Sequence, residues 1–284
     1  MQRTIVPITI VEGKHNELKS FISDLLRNYP ELSRKNIDKL LTDEHMIEFK
    51  KAFTSPSVNP NFNYEFYEML GDSTANNCIV WYFHRRFFPK PEEITTSKGT
   101  MTPLAIMGRL KQEGASVRKF SKFSRELGFQ PYITMTNIEE SKPTKVLEDV
   151  FEAFIGCLVY HCDKVFGFHT GFTIAYPFIQ KLFDKEEILI TKETLYEPKS
   201  ILNEDITKFP KGYTLNYISR DNKDMKTLNE RFYTKAVIYD KNKNILIETP
   251  EFLGPDKQSN EQKSAKYILN LYEYKQLKKM FNLE

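Results

Sequence analysis

The chain has 284 residues, 40% of them hydrophobic and 13% aromatic, which is enough for one large globular domain or for two. The 41 Lys and Arg residues nearly balance the 38 Asp and Glu residues, so no gross positive charge marks a nucleic-acid-binding protein. The three cysteines exclude a disulfide framework, and the sequence shows neither a signal peptide nor a run of about 20 apolar residues. We therefore expect a cytoplasmic protein in a reducing compartment, without a membrane segment.

The first 190 residues are predicted to be mainly helical, because apolar residues recur there at intervals of three and four. Beyond them, β-rich runs follow one short helix and precede a last helical run, which predicts a small, separate α+β domain. The predicted helices are 16–29, 36–53, 78–88, 103–112, 117–129, 146–166, 200–209 and about 260–280, and the predicted strands are 212–219, 231–240 and 243–252.

The segment "NYEFYEMLGDSTANN" carries three carboxylates, Glu65, Glu68 and Asp72, on an otherwise apolar stretch. Residues three, four or seven apart lie on one face of a helix, where like charges repel by roughly a few tenths of a kcal/mol per pair. Gly71 costs such a helix roughly another 1 kcal/mol relative to alanine. A helix built only for stability would avoid this composition, which indicates a functional reason for it.

A second acidic group, Glu148, Asp149 and Glu152, lies in the apolar stretch "KVLEDVFEAFIGCLVYH". Carboxylates near the protein interior need basic partners, protons or a bound cation. Oxygen ligands without His or Cys suit magnesium or manganese rather than zinc, and such a cage suits phosphodiester hydrolysis. Spacing alone leaves open that both groups are solvated faces or salt-bridge partners. The expected four-carboxylate cage consists of Glu68, Asp72, Asp149 and Glu152.

The stretches "KKAFTSPSVNPNFNYEFYEMLGDSTANN" and "VLEDVFEAFIGCLVYHCD" resemble the two acidic motifs of the ribonuclease III family, "N-E-x-L-E-F-L-G-D" and "A-D-x-F-E-A-x-I-G". The segment between them also resembles the corresponding part of that family, so the resemblance covers about residues 35–165. It implies an all-α ribonuclease III endonuclease domain that cuts double-stranded RNA as a homodimer. The implied products carry 5′-phosphates and short 3′ overhangs.

The resemblance also implies the roles of individual residues. Glu152 matches the direct magnesium ligand that is most essential for cleavage, and Mg²⁺, with Mn²⁺ as a possible substitute, is the implied cofactor. Glu65 and Met69 match positions at the dimer interface. The positions that match the family's catalytic, metal-binding carboxylates are Glu68, Asp72, Asp149 and Glu152.

The sequence departs from the family pattern at several of these places. Tyr64 is inserted before Glu65, and Met69 replaces a phenylalanine that plugs into the partner subunit. Because methionine fills irregular apolar sockets well, a homodimer is still expected. Glu148 replaces an alanine before Asp149, and this extra carboxylate could raise the metal affinity or shift the pKa of its neighbours.

The C-terminal order of helix, three strands and helix resembles a double-stranded RNA-binding domain, which recognises duplex RNA through 2′-hydroxyls and phosphates. "EPKSILNED" resembles the first-helix motif of that domain and places Glu204 where a side chain reaches ribose hydroxyls. "SNEQKSAKYIL" resembles its phosphate-binding "K-K-x-A-K" motif, with Lys263 and Lys266 retained. Gln262 replaces the first lysine, and the loss of a phosphate contact is expected to weaken RNA binding.

These observations divide the chain into a helical N-terminal extension (1–34), the endonuclease domain (35–185), a linker (186–198) and an α-β-β-β-α domain (199–284). The predicted function is a magnesium-dependent endoribonuclease that acts on double-stranded RNA. The alternative is a noncatalytic ribonuclease III-like protein that serves as an RNA-binding or ribonucleoprotein component. The intact carboxylates favour the enzyme, whereas the weakened RNA-binding motifs favour the alternative.

Overall fold

The structure is a computed structural model that describes residues 7–29, 32–88, 102–188, 190, 198–224, 227 and 230–283. The chain divides near residue 189 into two compact units, the first helical and the second with a small sheet. Most of the predicted linker, residues 189 and 191–197, lies outside the described residues. Within the part of the chain that is described, no helix is long and apolar enough to cross a membrane.

The first unit is built from helices and one short two-stranded ladder. In this ladder, β1 (Ile10–Val11) pairs antiparallel with β2 (Met135–Thr136). The helices are α1 (Leu18–Arg27), α2 (Arg34–Leu40), α3 (Asp43–Ala52), α4 (Glu65–Phe87), α5 (Pro103–Gly114), α6 (Val117–Leu127), α7 (Asn137–Ser141), α8 (Thr144–Phe166) and α9 (Thr170–Phe183).

Some helix boundaries differ from the sequence-based expectation. The predicted helix 36–53 is two helices, because the Thr42 side chain accepts a hydrogen bond from the backbone N–H of His45 and caps the start of α3. The predicted helix 78–88 is only the end of α4, which begins at Glu65 and therefore includes the whole first acidic group. Helix α9 was not predicted, and it contains Pro177 in its interior.

Residues 7–29 pack as part of the helical unit. Strand β1 pairs with β2, and the Phe21 ring of α1 stacks on Tyr132, with 4.1 Å between the ring centroids. The structure thus adds a short two-stranded ladder to the helical extension over residues 1–34 and to the all-α unit that the sequence predicts. The ladder joins segments far apart in sequence, so local periodicity does not reveal it.

The centre of the first unit is α8. Every residue of this helix from Val146 to Val159 is buried, which explains why its sequence is apolar on all sides. Helices α3, α4, α6 and α9 pack around it. The second acidic group therefore lies inside the protein and not on a solvated face.

The second unit contains α10 (Pro198–Thr207), a sheet and two final helices, α11 (Lys257–Asn270) and α12 (Tyr272–Met280). In the sheet, β3 (Thr214–Asp221) and β5 (Ile245–Glu248) flank β4 (Phe232–Tyr239), and all pairs are antiparallel. Strand β6 (Phe252–Gly254) also pairs with β4. The core of the second unit consists of Leu202, Ile206, Phe209, Ala236, Ile238, Ile247, Ala265, Ile268 and Tyr274.

Two elements of the second unit are interrupted where continuous ones were expected. The predicted third strand, 243–252, becomes β5 and β6 because Pro250 has no backbone N–H for the ladder. Beside it, the Thr249 hydroxyl accepts a hydrogen bond of 3.0 Å from the backbone N–H of Ala236. The predicted final helix breaks at Leu271, whose backbone is extended, so α12 begins as a separate helix.

Candidate active site

The two acidic groups meet where α4 crosses α8. A Cβ atom on Gly71 would lie 1.8 Å from the carbonyl oxygen of Glu152, and one on Gly156 would lie 2.0 Å from that of Tyr67. The two backbones can approach this closely because glycine has no side chain at either position. Glu68 lies one turn before Gly71, so the crossing brings its side chain to α8.

Three of the four carboxylates in the predicted cage come together. Each side chain offers one oxygen, and these oxygens lie within 4.8 Å of one another. Asp149 and Glu152 are each 5% exposed, and Glu68 is half-buried. No other group of three or more His, Cys, Asp or Glu side chains among the described residues comes this close. We call Glu68, Asp149 and Glu152 the three-carboxylate cluster.

The fourth carboxylate, Asp72, lies outside this cluster. Its side chain is exposed and accepts a hydrogen bond of 2.6 Å from the Asn76 side-chain amide on the same helix. Its charge nevertheless reaches the cluster, because it raises the pKa of Glu152 after the larger effects of burial and Glu148. Asp72 therefore borders the cluster and is held by its own helix.

Burial and mutual repulsion make negative charge unfavourable in the three-carboxylate cluster. Burial is the main cause that raises the pKa of Glu152 to about 9, and repulsion by Glu148, Asp72 and Glu68 adds to it. Burial, followed by repulsion from Asp149, also raises the pKa of Glu68. In the absence of a bound cation, Glu152 therefore holds a proton at neutral pH.

Lys145 supplies positive charge at the edge of the cluster. Its Nζ lies 2.6 Å from Asp149 Oδ1, 2.9 Å from Glu148 Oε2 and 4.0 Å from Glu68 Oε1. Burial lowers the pKa of Lys145, but the close negative charges of Asp149 and Glu148 outweigh this effect and raise it. The side chain thus stays charged and partly neutralises the carboxylates of Glu148 and Asp149.

Two residues in contact with Asp149 were not predicted from the sequence. Lys145 is one of them. It lies three and four residues before Glu148 and Asp149, a spacing that predicts ion pairs on a helix. The other is Tyr64, which is buried and donates a hydrogen bond of 2.9 Å from its hydroxyl to Asp149 Oδ2. No local pattern predicts this contact, because the two residues lie on separate segments.

The cluster fits a hard divalent cation. Asp149 Oδ1 and Glu148 Oε2 are buried and, although close to Lys145, accept no hydrogen bond of good geometry. Buried oxygens of this kind are costly unless a proton, a cation or a donor satisfies them. With oxygen donors only, the cluster suits Mg²⁺ or Mn²⁺ better than zinc.

Binding of a divalent cation is expected to release about one proton at neutral pH, because Glu152 must lose its proton before it can act as a ligand. Its pKa is raised from 4.5 to about 9. Between these values the affinity should therefore increase with pH, by up to about tenfold per unit. Calorimetric titration with Mn²⁺ in two buffers of different ionisation enthalpy measures the released protons. Binding without proton release would contradict the protonated state of Glu152.

The predicted interface residues lie on the outer surface of α4. Glu65 and Met69 are both exposed near the start of the helix, and Phe66 lies between them. Met69 is 66% exposed and Phe66 is 54% exposed, which is unusual for large apolar side chains. This face is separate from the three-carboxylate cluster, to which α4 contributes Glu68.

The predicted RNA-contacting residues of the second unit are all exposed. Glu204 lies on α10, and its carboxylate accepts a hydrogen bond of 2.8 Å from the Lys208 ammonium, one turn later on the same helix. Lys263 and Lys266 lie on α11, three residues apart and therefore on one face. These two lysines form no ion pair with any described residue, so their charges face solvent.

Comparison with known proteins finds relatives that carry the name ribonuclease 3. The chain is 31% identical over 193 residues to a protein of Frog virus 3 that is provisionally named ribonuclease 3, a match over 66% of this chain and 50% of the relative. It is 28% identical over 190 residues to a similarly named protein of Invertebrate iridescent virus 6, covering 62% of each. Ribonuclease 3 of Lactobacillus acidophilus is 34% identical over 143 residues, which cover 45% of this chain and 57% of that protein.

These matches span between half and about three fifths of the length of the relatives. No family model matches the chain. Among solved structures, the nuclease domain of ribonuclease III from Campylobacter jejuni is 24% identical with a TM-score of 0.39, covering 52% of this chain and 99% of that one. Dicer from Pichia stipitis is 16% identical with a TM-score of 0.33, and the match covers 81% of this chain and 94% of the Dicer chain.

Proposed function

The chain belongs to the ribonuclease III family, and from this premise we propose that it is a magnesium-dependent endoribonuclease that hydrolyses phosphodiester bonds of double-stranded RNA. The observation that carries the proposal is the three-carboxylate cluster at the crossing of α4 and α8. Burying these acidic groups costs stability, and a divalent cation offsets that cost. Hydrolysis of a phosphodiester is the reaction for which such a cation is useful.

In the proposed mechanism, Glu68, Asp149 and Glu152 would hold the cation, and Asp72 would add negative charge beside them. When bound, Mg²⁺ would act as a Lewis acid on a phosphoryl oxygen and lower the pKa of the attacking water. Glu152 gives up the proton that it otherwise holds. Lys145 keeps its positive charge at the edge of the cluster, where an RNA phosphate would approach. The products are proposed to carry 5′-phosphates and short 3′ overhangs.

We also propose that the protein is a homodimer in which each subunit cuts one strand. The two backbones of a duplex are related by a twofold axis, as are the subunits of a symmetric dimer. The exposed apolar side chains of Phe66 and Met69 support an interface on the outer face of α4, with Glu65 at its edge. This face belongs to the same helix as Glu68, so dimerisation would fix the spacing of the two sites.

Met69→Arg is expected to weaken this dimer by at least about 100-fold, because the twofold axis places two new like charges in one interface. Sedimentation velocity over a concentration series measures the change. Leu104→Arg is the matched control, since Leu104 on α5 is also apolar and highly exposed, at 82%. Equal self-association of the two variants would contradict an interface at Met69.

The second unit is proposed to be a divergent double-stranded RNA-binding domain, with residues 35–185 as the nuclease and 186–198 as the linker. Its proposed contacts are Glu204 on α10 and the solvent-facing lysines Lys263 and Lys266 on α11. Lysine contacts to phosphate make binding weaker as salt increases. Binding of duplex RNA that does not depend on salt would contradict contacts by these lysines.

The decisive experiment is cleavage of an end-labelled duplex of about 30 base pairs, long enough for a double-stranded RNA-binding domain. The purified protein is incubated with the duplex in Mg²⁺ and in EDTA, and binding is measured in EDTA at low and high salt. Cleavage in Mg²⁺ alone supports the proposal. Single-stranded RNA of the same sequence serves as the substrate control and should remain uncut.

The second candidate is a noncatalytic RNA-binding or ribonucleoprotein component. The observation in its favour is Lys145, because its ammonium group already neutralises part of the acidic cluster without a metal ion. A duplex that is bound but uncut in both Mg²⁺ and Mn²⁺ would support this candidate and exclude the nuclease.

A further inference from the structure

Tyr64 makes three hydrogen bonds, and two of them connect the two halves of the acidic site. Its backbone N–H donates to the carbonyl oxygen of Thr54 at 3.1 Å, and its own carbonyl oxygen accepts from the backbone N–H of Glu68 at 2.8 Å. Its hydroxyl donates to Asp149 Oδ2 at 2.9 Å. One buried residue at the start of α4 therefore holds the backbone of Glu68 and the side chain of Asp149.

The contact with Tyr64 makes the two oxygens of Asp149 different. Oδ2 is engaged by the phenol, whereas Oδ1 is buried, accepts no well-formed hydrogen bond and lies 2.6 Å from the Lys145 ammonium. Oδ1 is thus the oxygen of Asp149 that faces the positive charge of Lys145. Without the phenol, the carboxylate could rotate about its Cβ–Cγ bond, because that terminal torsion has a broad, roughly twofold profile.

We propose that Tyr64 is a positioning residue that orients Asp149, so that Oδ1 faces the divalent cation of the three-carboxylate cluster. This inference rests on the proposed function, in which Asp149 is a metal ligand. Hydrogen-bond partners of ligating groups typically contribute 10- to 100-fold to metal affinity or activity. Tyr64 acts through Asp149 and touches neither the metal ion nor the substrate.

The chain offers a matched control one turn along the same helix. Tyr67 is as buried as Tyr64, at 4% exposure, and its hydroxyl donates at 2.6 Å to Glu48 Oε2, a carboxylate outside the cluster. Tyr64→Phe and Tyr67→Phe therefore remove the same kind of buried phenol–carboxylate hydrogen bond. Both variants leave the backbone hydrogen bonds in place, so folding should be retained in each.

The test is titration of wild type, Tyr64→Phe and Tyr67→Phe with Mn²⁺, followed by calorimetry, without RNA. Tyr64→Phe should bind Mn²⁺ at least about tenfold more weakly than wild type, whereas Tyr67→Phe should bind within about twofold of it. Thermal unfolding in EDTA shows whether the two variants lose similar stability. Equal Mn²⁺ affinity of wild type and Tyr64→Phe, or equal weakening in both variants, would overturn the inference.

A second readout separates positioning from a general loss of structure. The Mg²⁺ concentration for half-maximal cleavage should rise for Tyr64→Phe, while the rate at saturating Mg²⁺ stays within a few-fold of wild type. A structural defect would instead lower the maximal rate at an unchanged Mg²⁺ requirement, and would refute the inference.

If wild type binds no Mn²⁺ and cuts no RNA, the proposed function fails together with this inference. If wild type does both and Tyr64→Phe is unchanged, only the inference fails.

Discussion

Glu152→Gln is expected to slow duplex cleavage by at least about 10³-fold, because under the proposed function it would remove a charged ligand from a cation that supplies several kcal/mol of transition-state stabilisation. The amide has nearly the same size as the carboxyl group, so the fold and duplex binding should persist. Single-turnover cleavage in saturating Mg²⁺, with binding measured in EDTA, checks both parts of this expectation.

The same substitution should make the protein more stable in EDTA. The pKa of Glu152 is raised from 4.5 to about 9 in the folded protein. Above pH 4.5 the unfolded chain has released this proton, so the protein must take up a proton when it folds. This costs stability progressively as pH rises from 4.5 to about 9, and the cost is present at neutral pH. Gln carries no such cost, so the free energy of unfolding should rise by on the order of 1–3 kcal/mol.

Glu48→Gln is the control for Glu152→Gln. Glu48 accepts hydrogen bonds from Lys51 at 2.9 Å and Tyr67 at 2.6 Å, and it lies outside the cluster. Its replacement should lower the free energy of unfolding by about 1–3 kcal/mol and leave cleavage nearly unchanged. The two variants thus differ in the sign of the stability change as well as in activity. Wild-type cleavage by Glu152→Gln would exclude the cluster as the active site.

Helices marked by apolar periodicity and by capping residues could be predicted from the sequence. Helices α5 and α6 combine periodic apolar residues with the caps Thr102 and Ser116, whose side chains accept from backbone N–H groups. Helix α8 is apolar on all sides, which predicts burial of its carboxylates. The acidic motifs likewise predict residues that meet at one place, and their role as metal ligands remains a prediction.

Features that depend on distant contacts could not be predicted. The β1–β2 ladder joins segments that share no local pattern, and the hydroxyl of Tyr64 reaches an acceptor on another helix. Asp72 has the helical spacing of a cage ligand, but Asn76 holds its carboxylate on the surface of α4. Spacing places a residue on a helix face, whereas packing against α8 decides which side chains on that face reach the cluster.

Gly71→Ala is expected to be the most damaging single substitution for the fold. The added Cβ would lie 1.8 Å from the Glu152 carbonyl oxygen and 2.9 Å from the backbone nitrogen of Gly156, so α4 and α8 must move apart. Overpacking against rigid backbone typically costs 1–3 kcal/mol, and we expect at least about 3 kcal/mol here. Trp81, the single tryptophan of the chain, lies on α4, and its fluorescence during urea denaturation reports on the helical unit.

Gly108→Ala on α5 is the matched control, because a Cβ atom there meets no described atom within 4 Å. Alanine is the better helix former, so this variant should gain roughly 0.5–1 kcal/mol. The same chemical change thus changes the free energy of unfolding in opposite directions at the two glycines. Only the contact between helices at Gly71 accounts for the difference. A small effect of both substitutions would mean that the crossing is looser than the structure describes.

Gly71→Ala should also weaken Mn²⁺ binding in whatever fraction of the protein remains folded. Glu68 comes from α4, whereas Asp149 and Glu152 come from α8, so the three oxygens stay within 4.8 Å of one another only while the helices touch. Calorimetry at a temperature where the variant is folded measures this separately from stability. Weaker Mn²⁺ binding by folded Gly71→Ala, with normal binding by Gly108→Ala, would mean that the glycine crossing determines the geometry of the cluster. Normal binding by both would mean that the carboxylates reach a cation from more than one arrangement of the two helices.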